Sequence, residues 1–177
     1  MNAHAFTSDV AFTPTVKAIQ ARKGSRQSYA RVEERGGWQS VITPDLAAFI
    51  EMQTSIFLST ANGDGQPYIQ HRGGPAGFLK VLDEKTIGFA DFSGNRQFIT
   101  QGNLADNPQA FLFLIDYARG QRIKFTGRAR VSTDATLMAQ LAPAGYNAEV
   151  ERAIVFGVLA WSANCQQHIP HLVPATP

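Results

Sequence analysis

The 177-residue chain holds a single cysteine, Cys165, so it can form no disulfide within itself, and no CxxC spacing offers a metal-ligand pair. That usage fits a reducing, cytoplasmic setting. No stretch is long and apolar enough to span a bilayer. Met1 to Phe12 lacks the basic and apolar regions of a signal peptide. Charge of one sign is also lacking. Sixteen basic side chains face fourteen acidic ones, a formal net charge of +2, too little to argue for nucleic acid or an anionic membrane as partner. GxSxG, HExxH and P-loop spacings are all missing. There is no internal repeat, and no alternation of long helices with parallel strands as a Rossmann fold requires.

What the chain does have is phenylalanine. Twelve of them point to a filled core, an aromatic ligand pocket or an interface. Length and composition predict one domain, 1–177. It divides into an N-terminal arm and helix over 1–42, a barrel core over 43–161 and a tail over 162–177. Thr13-Pro14 and Thr43-Pro44 each read as an N-cap with proline at the first helical position. The first predicts a helix to Lys23 stopped by Gly24. The second predicts a helix with Leu46, Phe49 and Ile50 on one face. The polar stretch Gly24 to Gly37 between them reads as irregular.

From Ser55 the period changes. Ser55 to Ala61 and Gln66 to Arg72 form a predicted hairpin around Asn62-Gly63-Asp64-Gly65. Further strands are expected at 78–82, 86–92, 110–116, 122–131 and 154–161. Helices are expected at Asn95 to Ala105 and Asp134 to Leu141. The fold class is therefore mainly β, α+β overall. Short antiparallel strands joined by tight turns favour a barrel or sandwich, with short peripheral helices.

Three clusters could carry chemistry. In Gln70-His71-Arg72-Gly73-Gly74, strand alternation puts Gln70 and Arg72 on one face and His71 on the other. The glycines let a backbone approach something closely, and an arginine beside them can hold a phosphate. The same string also reads as a polar strand end running into a loop. Asp91-Phe92-Ser93-Gly94-Asn95-Arg96-Gln97 lies at a strand-to-helix junction. Arg96 in a first helical turn would add charge to an anion site, or Asn95 or Ser93 simply caps the helix. Downstream, Gln101 and Asn103 offer amides to a polar ring edge, and Gly102 within the helix hints at a break or a close contact. The third cluster, Arg119-Gly120-Gln121-Arg122, opens a strand whose Lys124, Arg128 and Arg130 read as a solvated basic face. Arg122, near the strand start, is the better ligand candidate. A metal site from Cys165, His168 and His171 matches no known ligand spacing.

The string Gln70-His71-Arg72-Gly73-Gly74-Pro75 is followed by Gly77-Phe78-Leu79-Lys80-Val81-Leu82-Asp83, Gly94-Asn95-Arg96-Gln97, Gln101-Gly102-Asn103-Leu104 and Arg122-Ile123-Lys124. In this order they resemble the pyridoxamine 5′-phosphate oxidase-like family of FMN-binding split barrels, over roughly residues 43–131. The resemblance implies an antiparallel split β-barrel and a homodimer with FMN in the groove between subunits. Gln70 to Gly73 would lie along the flavin. Asn95 and Arg96, helped by Arg72, would hold its phosphate, and Gln121 or Arg122 would reach it. Asp91, Phe92, Gln101 and Asn103 complete the candidate cofactor set.

The chain departs from the oxidase itself in two places. Arg96-Gln97 stands where the oxidase has an Arg-Lys pair. The stretch Cys165-Gln166-Gln167-His168-Ile169-Pro170 stands where the oxidase carries a tryptophan and arginine motif. The resemblance thus implies an FMN-dependent oxidoreductase acting on an unidentified small molecule, with a nicotinamide as a possible electron donor. The alternative on the same fold is a carrier of flavin, deazaflavin or haem, for which His71, His168 or His171 could serve as an axial ligand.

Overall fold

In the computed structural model, residues 5–163 and 167–172 are described. Seven strands form one antiparallel sheet: β1 (Ser55–Ala61), β2 (Pro67–Gly73), β3 (Leu79–Asp83), β4 (Thr86–Phe92), β5 (Gln109–Asp116), β6 (Gln121–Ser132) and β7 (Val150–Ala163). Their spatial order is β2-β1-β5-β6-β7-β4-β3. The sheet is not closed by backbone pairing, since β2 and β3 are its edges. It curls so far, however, that Arg72 on β2 reaches Asp91 on β4, with a 2.5 Å hydrogen bond. Side chains therefore bridge the split that strand pairing leaves open.

The expected hairpin forms as its turn chemistry demands. Asn62 Oδ1 accepts from the N–H groups of Asp64 (3.1 Å) and Gln66 (2.9 Å), and Gly65 takes φ +84°, a left-handed conformation that suits glycine. Helices α1 (Pro14–Arg22) and α3 (Pro44–Glu51) start at the two Thr-Pro steps. Each threonine hydroxyl accepts a backbone N–H, from Val16 and from Leu46, at 3.3 Å. The face of α3 carrying Leu46, Phe49 and Ile50 is buried. Asp134 caps α5 (Ala135–Leu141), accepting from Leu137 N–H at 2.7 Å.

The N-terminal region differs from expectation. Residues 26–34, read as irregular, form helix α2 (Arg26–Glu34). Its support is tertiary and invisible to periodicity. Buried Glu33 pairs with Arg26 and, at 3.0 Å, with Lys17, and Tyr29 packs edge-on against Phe12, ring centroids 5.1 Å apart. The side-chain hydrogen bonds from Lys17 to Asp9 and Glu33 raise the lysine pKa above its ordinary value. The arm is docked: Thr7–Val10 make one 3-10 turn, Ser8 is buried, and the Thr7 hydroxyl donates to Trp38 O at 2.5 Å.

The twelve phenylalanines divide among the core, a pocket, the outer sheet face and the N-terminal layer. Phe49, Phe78, Phe89, Phe125 and Phe156 lie in the core. Phe92 and Phe98 line a pocket. Phe57, Phe111 and Phe113 stand half-buried on the outer face of β1 and β5. Phe6 and Phe12 belong to the N-terminal layer. Beside the outer phenylalanines, β7 carries a bulge. Thr126 pairs with Ala160 and Gly127 with Val158, so Leu159 has no cross-strand partner and projects outward, 52% exposed. Gly127 is required there, because a Cβ would sit 2.1 Å from the carbonyl oxygen of Gly157.

Candidate functional site

The polar pocket lies where β2, β4, β7 and the loop after β4 meet, at the split of the barrel. Strand alternation delivers Tyr68, Gln70 and Arg72 from one face of β2. Asp91 and Phe92 end β4, and Glu151 and Arg152 begin β7. The cavity holds about 200 Å³.

The loop between β4 and the next helix departs from the sequence reading. The helix, expected from Asn95, is α4 (Ile99–Asp106). Arg96 (φ +57°) and Phe98 (φ +55°) are left-handed, which no right-handed helix accommodates, and Asn95 Oδ1 accepts Gln97 N–H at 3.2 Å, tying the loop to itself. Arg96 is therefore not in a first helical turn, and neither Ser93 nor Asn95 is a cap. Phe98 occupies the cap position with no side-chain hydrogen bond. Non-glycine residues in this conformation each cost on the order of 1 kcal/mol and concentrate at binding sites. Helix α4 itself is unbroken through Gly102, where a Cβ would meet nothing within 4 Å.

A hydrogen-bonded chain organises the pocket. Thr100 donates to Gln70 Oε1 at 3.1 Å and accepts from Arg72 at 3.2 Å. The other terminal nitrogen of Arg72 binds Asp91 Oδ1, while Asp91 Oδ2 lies 3.8 Å from Arg152 Nε. Arg152 donates onward to Gln101 Oε1 at 2.6 Å and pairs with Glu151. The guanidinium carbons of Arg152 and Arg96 lie 5.3 Å and 5.8 Å from the Phe98 ring centroid. Arg72 Nε is buried with no partner among the described residues.

Of the predicted site residues, the structure brings together Gln70, Arg72, Asp91, Phe92, Asn95, Arg96 and Gln101. The others lie elsewhere. His71 points to the opposite face of β2, where Nε2 is 2.9 Å from Ser55 Oγ and the ring packs edge-on against Phe57. Gly73 ends β2 against Thr54 O and the His71 ring. The amide of Asn103 donates to Thr60 Oγ1 at 3.0 Å in the interior. Gln121 and Arg122 pair with Asp116 and Ile115 in the β5–β6 hairpin. What the glycine pair approaches is protein: a Cβ on Gly74 would lie 2.7 Å from Phe78 Cβ. His168 and His171 are exposed, and Cys165 lies outside the described residues.

The sequence reading does not single out Tyr68, Phe98, Thr100, Glu151 or Arg152. Tyr68 was legible from its i, i+2, i+4 spacing with Gln70 and Arg72. Arg152 was not, because Glu151-Arg152 precedes the apolar run from Ile154 and reads as a solvated strand approach.

No significant match is found among curated proteins. HupZ of Group A Streptococcus is similar in structure (TM-score 0.57, 18% identity, 75% of this chain and 99% of that one). So is a Lactobacillus delbrueckii protein named for pyridoxamine 5′-phosphate oxidase (TM-score 0.52, 16% identity, 70% and 95%). An FMN-binding protein of Syntrophomonas wolfei also shares the fold (TM-score 0.50, 13% identity, 81% and 96%). These likenesses are of fold, and they identify the curled seven-stranded sheet as the split-barrel type. In sequence, the model of the family described as pyridoxamine 5′-phosphate oxidase matches residues 42–162, more than half of the chain. The chain therefore belongs to the pyridoxamine 5′-phosphate oxidase family.

Proposed function

We propose that this chain binds FMN with the phosphate in the split-barrel pocket, as a homodimer, and acts as a cytoplasmic FMN-dependent oxidoreductase on a small molecule. The observation that carries the reading is Arg96. Among the described residues its guanidinium makes no ion pair and no side-chain hydrogen bond, and its one charge contact is the Phe98 ring. A free guanidinium on a strained loop, beside Gly94 and Asn95 in the lining of the pocket, suits a phosphate. The orphaned Arg72 Nε adds a donor seeking an acceptor. One protein of the same fold is named as FMN-binding, which supports the reading.

When bound, the flavin supplies the redox chemistry, with a nicotinamide or another donor as electron source. The chain's own residues bind and orient. Arg96 takes the phosphate charge, and Gln70 and Tyr68 line the cavity along β2. Among the described residues, no helix is long and apolar enough to cross a membrane.

The dimer is part of the reading because one chain's cavity is too small. Ligand pockets run to about 300–1,000 Å³, against 200 Å³ here, so the ring needs further walls. The outer sheet face offers a surface to bring them. Ile69, Phe57, Phe111, Phe113 and Leu159 form an apolar patch across β2, β1, β5 and β7, the kind of surface that marks an interface. Gln121 and Arg122, remote from their own chain's pocket, would then serve the partner's.

The test is gel filtration with FMN followed by a visible spectrum, then titration of FMN and riboflavin into wild type and Arg96→Ala. Flavin bands should co-elute at dimer size. A charge-assisted contact is worth about 1.5–3 kcal/mol, so Arg96→Ala should weaken FMN roughly 10- to 150-fold and leave riboflavin nearly unchanged. Equal losses for both ligands would sink the phosphate assignment. A colourless protein, or one that takes haem or a deazaflavin in place of FMN, would remove the FMN reading.

A further inference from the structure

The pocket holds three arginines, Arg72, Arg96 and Arg152, and two carboxylates, Asp91 and Glu151. Their pairing is uneven. Asp91, largely buried at the centre, touches two of the three arginines: Oδ1 bonds Arg72 at 2.5 Å and Oδ2 lies 3.8 Å from Arg152 Nε. The second terminal nitrogen of Arg72 is engaged by Thr100. The two terminal nitrogens of Arg152 are engaged by Gln101 and Glu151. A guanidinium recognises phosphate best through two adjacent N–H groups, and in Arg72 and Arg152 the terminal pair is already committed. Arg96 alone of the three keeps its fork free among the described residues.

We propose that Asp91 is a specificity-determining residue that sets how much anionic charge the pocket accepts. Its carboxylate bonds Arg72 and stands beside Arg152 across the split between β2, β4 and β7, offsetting one of the three arginine charges while the Arg96 guanidinium stays free. The pocket therefore takes a single phosphate monoester and discriminates against ligands carrying a diphosphate. This rests on the reading of the pocket as a phosphate site. It goes beyond that reading by naming the class of anion and the residue that selects it. The selection is electrostatic. Removing the Asp91 charge raises the net charge of the site from +1 to +2 (three arginines less one carboxylate in place of three less two).

The experiment compares wild type, Asp91→Asn and Glu151→Gln, titrated with inorganic phosphate and with pyrophosphate at low ionic strength. Asparagine keeps the size of Asp91 and an acceptor oxygen for Arg72. A unit charge about 6 Å from the anion, in a dielectric between the protein-surface value and bulk water, changes affinity about tenfold. Asp91→Asn should thus bind phosphate about tenfold more tightly than wild type. Its preference for pyrophosphate over phosphate should rise at least about threefold, because the more highly charged ligand feels the change more strongly. Glu151→Gln, at the more exposed end of the network, should shift both in the same direction by about threefold. If Asp91→Asn does not fold, Glu151→Gln decides by the same two readouts. Phosphate binding no tighter than wild type, or an unchanged pyrophosphate preference, overturns the proposal; a weaker phosphate affinity would mean that Asp91 positions the arginines for the ligand. Failure of the FMN reading shows separately, as wild type that binds FMN no better than riboflavin, while the phosphate and pyrophosphate titrations still decide the role of Asp91.

Discussion

Replacing Gly74 by alanine tests whether the Gly73-Gly74 pair serves a ligand or the fold. The added Cβ would stand 2.7 Å from Phe78 Cβ and 2.9 Å from its Cγ, where ordinary contact begins at 3.4 Å. No shortening of residue 78 short of glycine removes the Cβ contact, so the backbone has to move. It is poorly free to do so. Gly74 N–H donates to Thr54 O at 3.1 Å, Phe78 N–H to Pro75 O at 2.9 Å, and the Phe78 ring is 1% exposed against Phe89. Overpacking of this kind costs about 1–3 kcal/mol. At about 2–4 °C per kcal/mol for a chain of this size, a cost near 2 kcal/mol lowers Tm by about 4–8 °C. Thermal unfolding followed by near-UV circular dichroism gives that number, and flavin titration of the folded variant gives the second. The preference for FMN over riboflavin should be unchanged, since Phe78 and Gly74 lie outside the pocket. A Tm within about 1 °C of wild type, combined with lost FMN affinity, would refute the reasoning and return the glycine to the ligand.

Two further outcomes test other parts of the structure. Gly102→Ala adds a methyl group to open space within a helix, so it should stabilise by roughly 0.5–1 kcal/mol and raise Tm by about 2–3 °C; a fall in Tm would show that something packs there. Lys124, on the outer face beside Phe113, has its pKa lowered from 10.5 by burial and then by the charge of Arg122. Between the depressed folded value and the unfolded one, the unfolded chain binds more protons, so wild-type stability rises with pH through that window. Lys124→Met should therefore be more stable than wild type at neutral pH, and the gap should narrow as pH approaches 10.5. Urea unfolding at two pH values measures it, and an equal gap at both would refute the burial argument.

Much of this molecule is legible in its sequence because much of it is local. Thr13-Pro14, Thr43-Pro44 and Asp134 announce helix starts through caps that each bond a backbone N–H three residues on. Asn62 to Gly65 dictates a hairpin through an Asx side chain and a left-handed glycine. Alternation along 55–61 and 109–116 sorts core from outer face, and along 67–73 it sorts pocket from outer face. Gln70, Arg72, Asp91 and Arg96 stood out by chemistry in short strings, and the structure gathers them in one pocket.

What the sequence could not decide depends on separated partners. Helix α2 exists through Glu33, buried between Arg26 and Lys17, and no local period encodes a pairing with a residue sixteen positions away. The late start of α4 is a matter of two left-handed residues, Arg96 and Phe98, which local propensity disfavours and only a surrounding structure can hold. Arg152 enters the pocket because β7 pairs with β4 in a register that sets it opposite Asp91. Tertiary structure also decided which arginine is free, since ion pairing depends on distances of a few ångströms between strands far apart in the chain. Sequence names the charged groups available to a ligand; only the curl of the sheet determines which of them another side chain has already taken.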